Sequence, residues 1–316
     1  MAFIDYSNES KRIYVLEDRT ISVFDKDIKL TDEIKLDFNA HFIEKTTFFK
    51  YLEKVHSFEM AGCDSENIYY FKFDGSGNLV SQELLSQDKK DILLRLNDQN
   101  KIEQLFFDQH SSYHSNCKIF KNHQEILQVN LLDQCENEEK DWVGYEYMEC
   151  LKSTNQPGQL AFIATHATYG VQGVKVFGIN DSQQLDMVYD MDDLDYDGAF
   201  HNLAFNATGE KFTVLLYEND DDLNDSFSIF EYSVHNNISP LKIHKTNHGF
   251  LNFHRLHTHY LTDSILCIVR NSDIIIFDLN NGKTIDTLNR DFKSSFFIDF
   301  NILIYQLNDK IIVLEY

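Results

Sequence analysis

One short phrase recurs along this chain. It is an apolar, largely β-branched run, a turn of polar or glycine residues, and a second run of the same kind. Near the C-terminus it reads Ser264–Arg270, a turn at Asn271-Ser272, and Asp273–Asp278, followed by Asn280-Asn281-Gly282 and Lys283–Leu288. It also opens the chain, as Arg12–Leu16, a turn over Glu17–Arg19, and Thr20–Asp25. At the other end it returns as Ile302–Tyr305, Asn308-Asp309 and Ile311–Leu314. β-Branched runs broken by such turns are hairpins. One such unit leaves an apolar face that it cannot bury alone, so the copies must stack.

Four diverged copies, at Ile68–Phe73, Cys117–Phe120, Val174–Phe177 and Phe227–Phe230, bring the total to seven. Their period, roughly 40 to 55 residues, is that of propeller blades. The expectation is therefore an all-β, seven-bladed β-propeller with scarcely any helix, one domain over 1–316. Its blades fall near 1–40, 41–90, 91–134, 135–192, 193–248, 249–291 and 292–316. Leu203–Phe212 supplies an inner strand and tight turn, and Phe3–Tyr6 and Phe297–Phe300 share the inner-strand pattern. The last copy reaches Tyr316 after its third strand, so the last blade is expected to lack its outer strand, with no strand exchange between the termini.

The inner strand and Gly turn of Leu203–Phe212, with Phe24-Asp25, Phe277-Asp278 and the weaker Phe230-Glu231, resemble WD-repeat propellers, whose repeats end in Trp-Asp. The Gly-His dipeptide of those repeats is absent, and the only tryptophan, Trp142, is not at a repeat end. The resemblance spans nearly the whole chain at the level of the superfamily. It implies the fold and, by analogy alone, a scaffold for protein contacts.

The formal net charge is −23. A surface of that sign repels phosphate backbones and anionic lipid, which makes nucleic acid and membrane poor partners and a basic protein a good one. In a propeller, the links between blades share one face with each blade's middle hairpin turn. That reading gathers five unusual segments on one face: 108–116, 133–141, 166–173, 190–198 and 218–225. Between Val176 and Leu241 the chain carries many Asp and Glu against one base, Lys211. Solvated turns are the competing account of any single acidic loop. The contact residues expected there are Asp193, Asp195, Asp197, Asp220, Asp221, Asp222, Asp225, Glu138, Glu139 and Asp141, with Trp142 and Tyr169 as aromatic anchors. The expected role is a non-enzymatic platform, monomeric by itself, that captures a basic protein as an immunity or inhibitor protein or as a scaffold.

Chemistry has fewer footholds. Asp193-Leu194-Asp195-Tyr196-Asp197-Gly198 resembles the start of a calcium loop, in which alternating aspartates aim oxygens at one point. Ala204 stands at the twelfth position, where a bidentate glutamate belongs, and His201 at the ninth, so no metal is expected there. His244, His248, His254, His257 and His259 crowd one region, and strand alternation puts His257 and His259 on the same side. Without a cysteine or carboxylate at ligand spacing they read as ordinary strand and turn histidines, responsive to pH near neutrality. No GxSxG, GxxxxGK[ST], HExxH or GxGxxG pattern occurs, and no cofactor is expected. The alternative reading is a carboxylate-dependent enzyme or a calcium-binding propeller that uses the same acidic loops. Met1–Asp5 has no basic leader pattern, no apolar run reaches the length of a membrane span, and the five cysteines are scattered. A cytoplasmic protein with reduced thiols is the expectation.

Overall fold

The structure is a computed structural model. It describes residues 2–38, 43–89, 91–97, 102–106, 116–121, 124–130, 143–150, 159–166, 170–179, 185–192, 198–206, 208–218, 226–233, 241–246, 257–270, 272–290, 296–299, 301–308 and 310–316. The first sheet holds β1 (Phe3–Ser7), β2 (Arg12–Glu17), β3 (Thr20–Phe24) and β4 (Leu30–Lys35). The second holds β5 (Lys45–Leu52), β6 (Ser57–Cys63), β7 (Ile68–Asp74) and β8 (Leu79–Ser86), with a 3-10 turn at Glu53–Val55. The third is built from β9 (Ile92–Leu96), β10 (Ile102–Phe106), β11 (Asn116–Lys121) and β12 (Gln124–Asn130). Next come β13 (Val143–Cys150), β14 (Gln159–His166), β15 (Gly170–Ile179) and β16 (Leu185–Asp192). The fifth sheet has β17 (Gly198–Phe205), β18 (Lys211–Glu218), β19 (Ser226–Ser233) and β20 (Lys242–Lys245). The sixth has β21 (His257–Tyr260), β22 (Ile265–Val269), β23 (Asp273–Asp278) and β24 (Lys283–Asn289). The C-terminal sheet has β25 (Phe296–Asp299), β26 (Ile302–Leu307) and β27 (Lys310–Glu315).

This is an all-β propeller architecture, with six complete four-stranded blades and one three-stranded sheet among the described residues. Five of the complete blades are plain meanders. The third is not. Its order is β10-β9-β11-β12, and β11 pairs with β9 in parallel, Cys117 opposite Ile92 and Phe120 opposite Arg95. A parallel strand inside a sheet is covered on both faces, and Ile92, Leu93 and Leu94 are all fully buried. The unbroken apolar run was the available sign of this strand, and the repeat pattern, keyed to Cys117–Phe120, passed over it.

The chain divides into two compact units, Met1–Asp91 with Leu105–Phe107 and Arg290–Tyr316, and Ile92–Gln104 with Asp108–Asn289. In the first unit, Ile4, Ile13 and Val15 pack against Ile302, Ile304 and Ile311. The sheets formed by the two ends of the chain thus meet through side chains and share no strand. A larger cluster joins the first two blades, with Tyr14, Leu16, Ile21 and Val23 on one side and Phe49, Phe58, Phe71 and Phe73 on the other. Tyr14 stacks on Tyr51 with centroids 4.1 Å apart, and the Tyr51 amide donates to Asp5 Oδ2 at 2.7 Å. Burial, and then the hydrogen bond to Tyr51, pushes the Tyr14 hydroxyl pKa well above the ordinary tyrosine range. In the second unit, Leu215, Phe227 and Ile229 of the fifth blade close on Tyr260, Leu266, Ile268, Ile275 and Phe277 of the sixth.

The Phe-Asp pairs have a mechanical job. Asp25 Oδ1 accepts from the amides of Asp27 and Lys29 at 2.9 and 3.0 Å, which folds the turn from β3 into β4. Asp278 Oδ1 does the same for Asn280 and Asn281 at 2.8 and 3.3 Å. Phe73-Asp74 is a third copy that the repeat reading missed although the dipeptide is plain: Asp74 Oδ1 accepts from Ser76 and Asn78, both at 2.9 Å. An aspartate folding its own backbone in this way is an Asx turn. The hydrogen bonds hold the Asp74 and Asp278 carboxyls below the usual aspartate range.

Gly77 follows Asp74 in that turn with φ +87°, and a Cβ there would lie 2.4 Å from the Lys35 carbonyl oxygen. The Gly77 carbonyl in turn accepts from the Asp37 amide at 2.8 Å, which joins the turn of the second blade to the exit of the first. Gly77→Ala combines backbone strain with a clash against main chain, so it is expected to destabilise the protein by about 2 kcal/mol. Denaturant unfolding of the two proteins measures this; an unchanged midpoint would contradict the seam described.

Candidate functional site

All the residues expected to contact a partner, Asp193, Asp195, Asp197, Asp220, Asp221, Asp222, Asp225, Glu138, Glu139, Asp141, Trp142 and Tyr169, lie outside the described residues. Around them, β14 runs to His166 and β15 begins at Gly170, so strand takes up part of 166–173, which sequence assigned to a loop. Likewise β16 reaches Asp192 and β17 begins at Gly198, which leaves 193–197 as the connection between the fourth and fifth blades.

The predicted meeting of hairpin turn and inter-blade link is visible in the first two blades. A cavity of about 570 Å³ is lined by the β2–β3 turn, by the link into β5 and by the start of β5. Phe3, Leu16, Phe38 and Ile43 give it apolar walls, and Asp18, Arg19, Glu44 and Lys45 are exposed charges around it. The turn is tight because Asp18 adopts φ 53°, a left-handed conformation that aspartate tolerates better than most residues. Leu36 donates its amide to the Arg19 carbonyl at 2.8 Å, which ties the link to the turn. The Arg19 guanidinium lies over the Phe38 ring, 5.6 Å from its centroid, and Nη1 reaches the Phe38 carbonyl oxygen at 3.4 Å. On the far wall, Glu44 donates its amide to the Cys63 carbonyl at 2.8 Å. Ile43 folds over Gly62, where a Cβ would lie 2.8 Å from Ile43 Cγ2. The cleft therefore combines an apolar lining with two acidic and two basic side chains at its rim. Sequence reading missed it because Arg19 and Phe38 belong to different elements and nothing in their spacing links them.

Charge also enters the second unit. Glu231, the weak echo of the Phe-Asp pair, does not fold a turn; it is buried and accepts from Lys211 Nζ at 3.3 Å. Thr213 is its cross-strand partner, fully buried, and lies beside the Tyr260 hydroxyl. Burial first, then the Glu231 charge, pushes the Tyr260 hydroxyl far above the ordinary tyrosine range. His244, opposite Ile229 on β20, packs edge-on to Phe277 at 5.5 Å. Gly282, at φ +61°, leaves it room, since a Cβ there would sit 2.9 Å from His244 Nδ1. His257 and His259 do share one side of β21, with Thr258 and Tyr260 buried on the other. Among the described residues no cluster of His, Cys, Asp and Glu is arranged to hold a metal ion. Cys63, Cys117 and Cys267 are buried thiols outside any disulfide.

Known proteins resemble this chain in shape only. No protein-family profile and no curated relative matches it. Among solved structures, KlAtg21 in complex with the coiled-coil of AgAtg16 shares 11% identity at a TM-score of 0.60, over 100% of this chain and 94% of the other. The Cps50 (Swd1) β-propeller domain of Myceliophteria thermophila matches at 0.56 and 11%, over 99% and 96%. The Pan2 WD40 domain of Neurospora crassa also matches at 0.56, with 9% identity over 99% and 88%. The fold is thus a β-propeller. At these identities the likeness reaches no further than the fold.

His244 generates a pH dependence. Burial lowers its pKa below the ordinary 6.5, against the opposing pull of Glu231 and Asp278 and with a small contribution from Lys242. A depressed histidine costs nothing while neutral in both states. Below 6.5 the unfolded chain takes the proton first, so stability falls as pH drops through 6.5 toward the folded value. The loss from Asp74 and Asp278 comes later, below the ordinary aspartate value of 3.8. Thermal melts from neutral to mildly acidic pH are expected to show a falling midpoint that His244→Phe flattens. Equal slopes in the two proteins would place the titration elsewhere.

Proposed function

We propose that this chain is a non-enzymatic protein-binding propeller whose acidic loops capture a basic protein. In this reading the three-stranded C-terminal sheet counts as a seventh blade, and the whole is one domain, cytoplasmic and monomeric by itself. The observation that carries the proposal is the charge of the stretch from Val176 to Leu241. Its only base, Lys211, is held on the buried Glu231, so the acids of its loops keep no cation of that stretch to neutralise them. Two further observations support it. The chain's net charge is −23, and a solved structure of similar fold, KlAtg21, is in complex with a coiled-coil of another protein. A basic toxin or nuclease masked by an immunity or inhibitor protein fits such a surface, as does a basic segment held on a scaffold.

The test begins with affinity capture from the native host and continues with binding kinetics of the captured partner at two salt concentrations. Asp220→Lys/Asp221→Lys/Asp222→Lys and Asp193→Lys/Asp195→Lys/Asp197→Lys are expected to slow association, most at low salt, because steering by exposed charge fades beyond a Debye length of about 8 Å. Their melting midpoints are expected to stay close to that of the parent, since solvated acids contribute little stability. Trp142→Ala is expected to raise the dissociation rate instead. Unchanged association by both triple variants would assign the acids to solubility.

A further inference from the structure

The cleft between the first two blades has a chemistry of its own. Arg19 is the best-placed recognition group on it. Its guanidinium lies over the Phe38 ring, 5.6 Å from the centroid, and its hydrogen bond, to the Phe38 carbonyl at 3.4 Å, is long. A guanidinium presents five donors in a rigid fork, so among the described residues most of this one's donors remain unused, and the group that matches a fork is a planar carboxylate. Lys45, also on the lining, has no carboxylate within ion-pairing distance among the described residues and adds a second positive centre. Phe3 and Ile43, partly buried, and the buried Leu16 line the same cleft and make an apolar seat. A volume of about 570 Å³ lies within the range that seats small ligands and is larger than one side chain needs.

The neighbours Asp18 and Glu44 set the direction of the ligand. Each precedes one of the cations in sequence and is exposed, so the cleft is locally neutral on a molecule of net charge −23. A ligand that was only anionic would meet the field of the whole molecule, and a ligand that was only cationic would leave the Arg19 fork unmatched. An extended peptide satisfies both constraints: its backbone amides face acceptors such as Asp18 and Glu44 while one carboxylate meets the fork. We infer that this cleft is a peptide subsite, taking an extended protein segment in which an apolar side chain stands next to a carboxylate. The apolar side chain seats on Phe3, Leu16 and Ile43, and the carboxylate is held by Arg19 with Lys45 nearby. This rests on the protein-binding reading above but uses none of the acidic loops.

The probes are synthetic blocked hexapeptides in alanine hosts, centred on Leu-Glu, Leu-Gln, Leu-Lys or Ser-Glu, titrated into the full chain while the methyl resonances of Leu16 and Ile43 are followed. The Leu-Glu peptide is expected to shift both methyls saturably. Leu-Gln and Ser-Glu are expected to bind at least about tenfold more weakly, because each removes one of the two matched groups. Arg19→Gln, at an exposed turn position, is expected to cut Leu-Glu binding by a similar factor and to abolish the preference for Glu over Gln. Arg19→Lys should restore only part of it, since an ammonium lacks the fork. The Asp193→Lys/Asp195→Lys/Asp197→Lys variant should bind the peptide as the parent does. Absence of a saturable shift, equal binding of Leu-Glu and Leu-Gln, tighter binding of Leu-Lys, or indifference to Arg19→Gln would each overturn the assignment. None of those outcomes touches the association kinetics of a basic partner, so the two proposals fail separately.

Discussion

A small sheet that is apolar on both faces is not stable alone in water; it must be covered on each side, and that requirement governs this molecule. Strands such as β22 and β23, with Leu266, Cys267, Ile268 and Val269 against Ile274, Ile275, Ile276 and Phe277, bury successive residues, where a half-exposed strand would alternate. Each buried aliphatic or aromatic side chain contributes about 1.5–3 kcal/mol. Most of that gain comes from the neighbouring sheet, as when Leu215 and Ile229 of the fifth blade close on Tyr260 and Phe277 of the sixth. Three polar groups at these seams are accommodated in different ways. Glu231 brings Lys211, Asp5 takes the Tyr51 amide, and His244 stays neutral against Phe277.

The legible part of the fold was the part written locally. Arg12–Leu16 and Thr20–Asp25 could be read as a hairpin because strand propensity and turn chemistry agree over a dozen residues, and β2 and β3 follow that reading closely. Phe24-Asp25 and Phe277-Asp278 were visible for the same reason, since an Asx turn is made within five residues. Less legible was whatever depends on residues far apart. The parallel pairing of β9 with β11 is set across the intervening β10, and Ile92-Leu93-Leu94 reads equally well as part of any buried strand. The cleft is lined by Arg19, Phe38 and Ile43, and Arg19 meets Phe38 through the β3–β4 pairing, Thr20 opposite Lys35, which no local pattern encodes. The acidic segments are a third case: their charge is plain in Asp193–Asp197 and Asp220–Asp225, whereas charge alone does not say which groups face one another.

Electrostatics divides the molecule by role more than by position. Exposed aspartates such as Asp25, Asp74 and Asp278 spend their oxygens on their own backbone, so part of the negative charge is structural. Lys211 is likewise engaged, paired with the buried Glu231. Net charge therefore overstates what is free for recognition, and the acids with no such internal duty matter most to a partner.

The reversed order at the start of the third blade also bears on how the chain reaches its native state. Five blades can zip strand by strand, each new strand laid on the edge of the one before it. In the third, β11 pairs with β9 and not with β10, the strand before it, so a loop must close before the sheet can grow. Closing that loop costs entropy before any contact repays it. The remaining two strands of this blade thus wait on a non-local event, and until it happens β9 presents an unpaired edge that begins with three apolar residues. The residues most exposed to misassembly during folding are then Ile92, Leu93 and Leu94, which are among the best buried once it is complete.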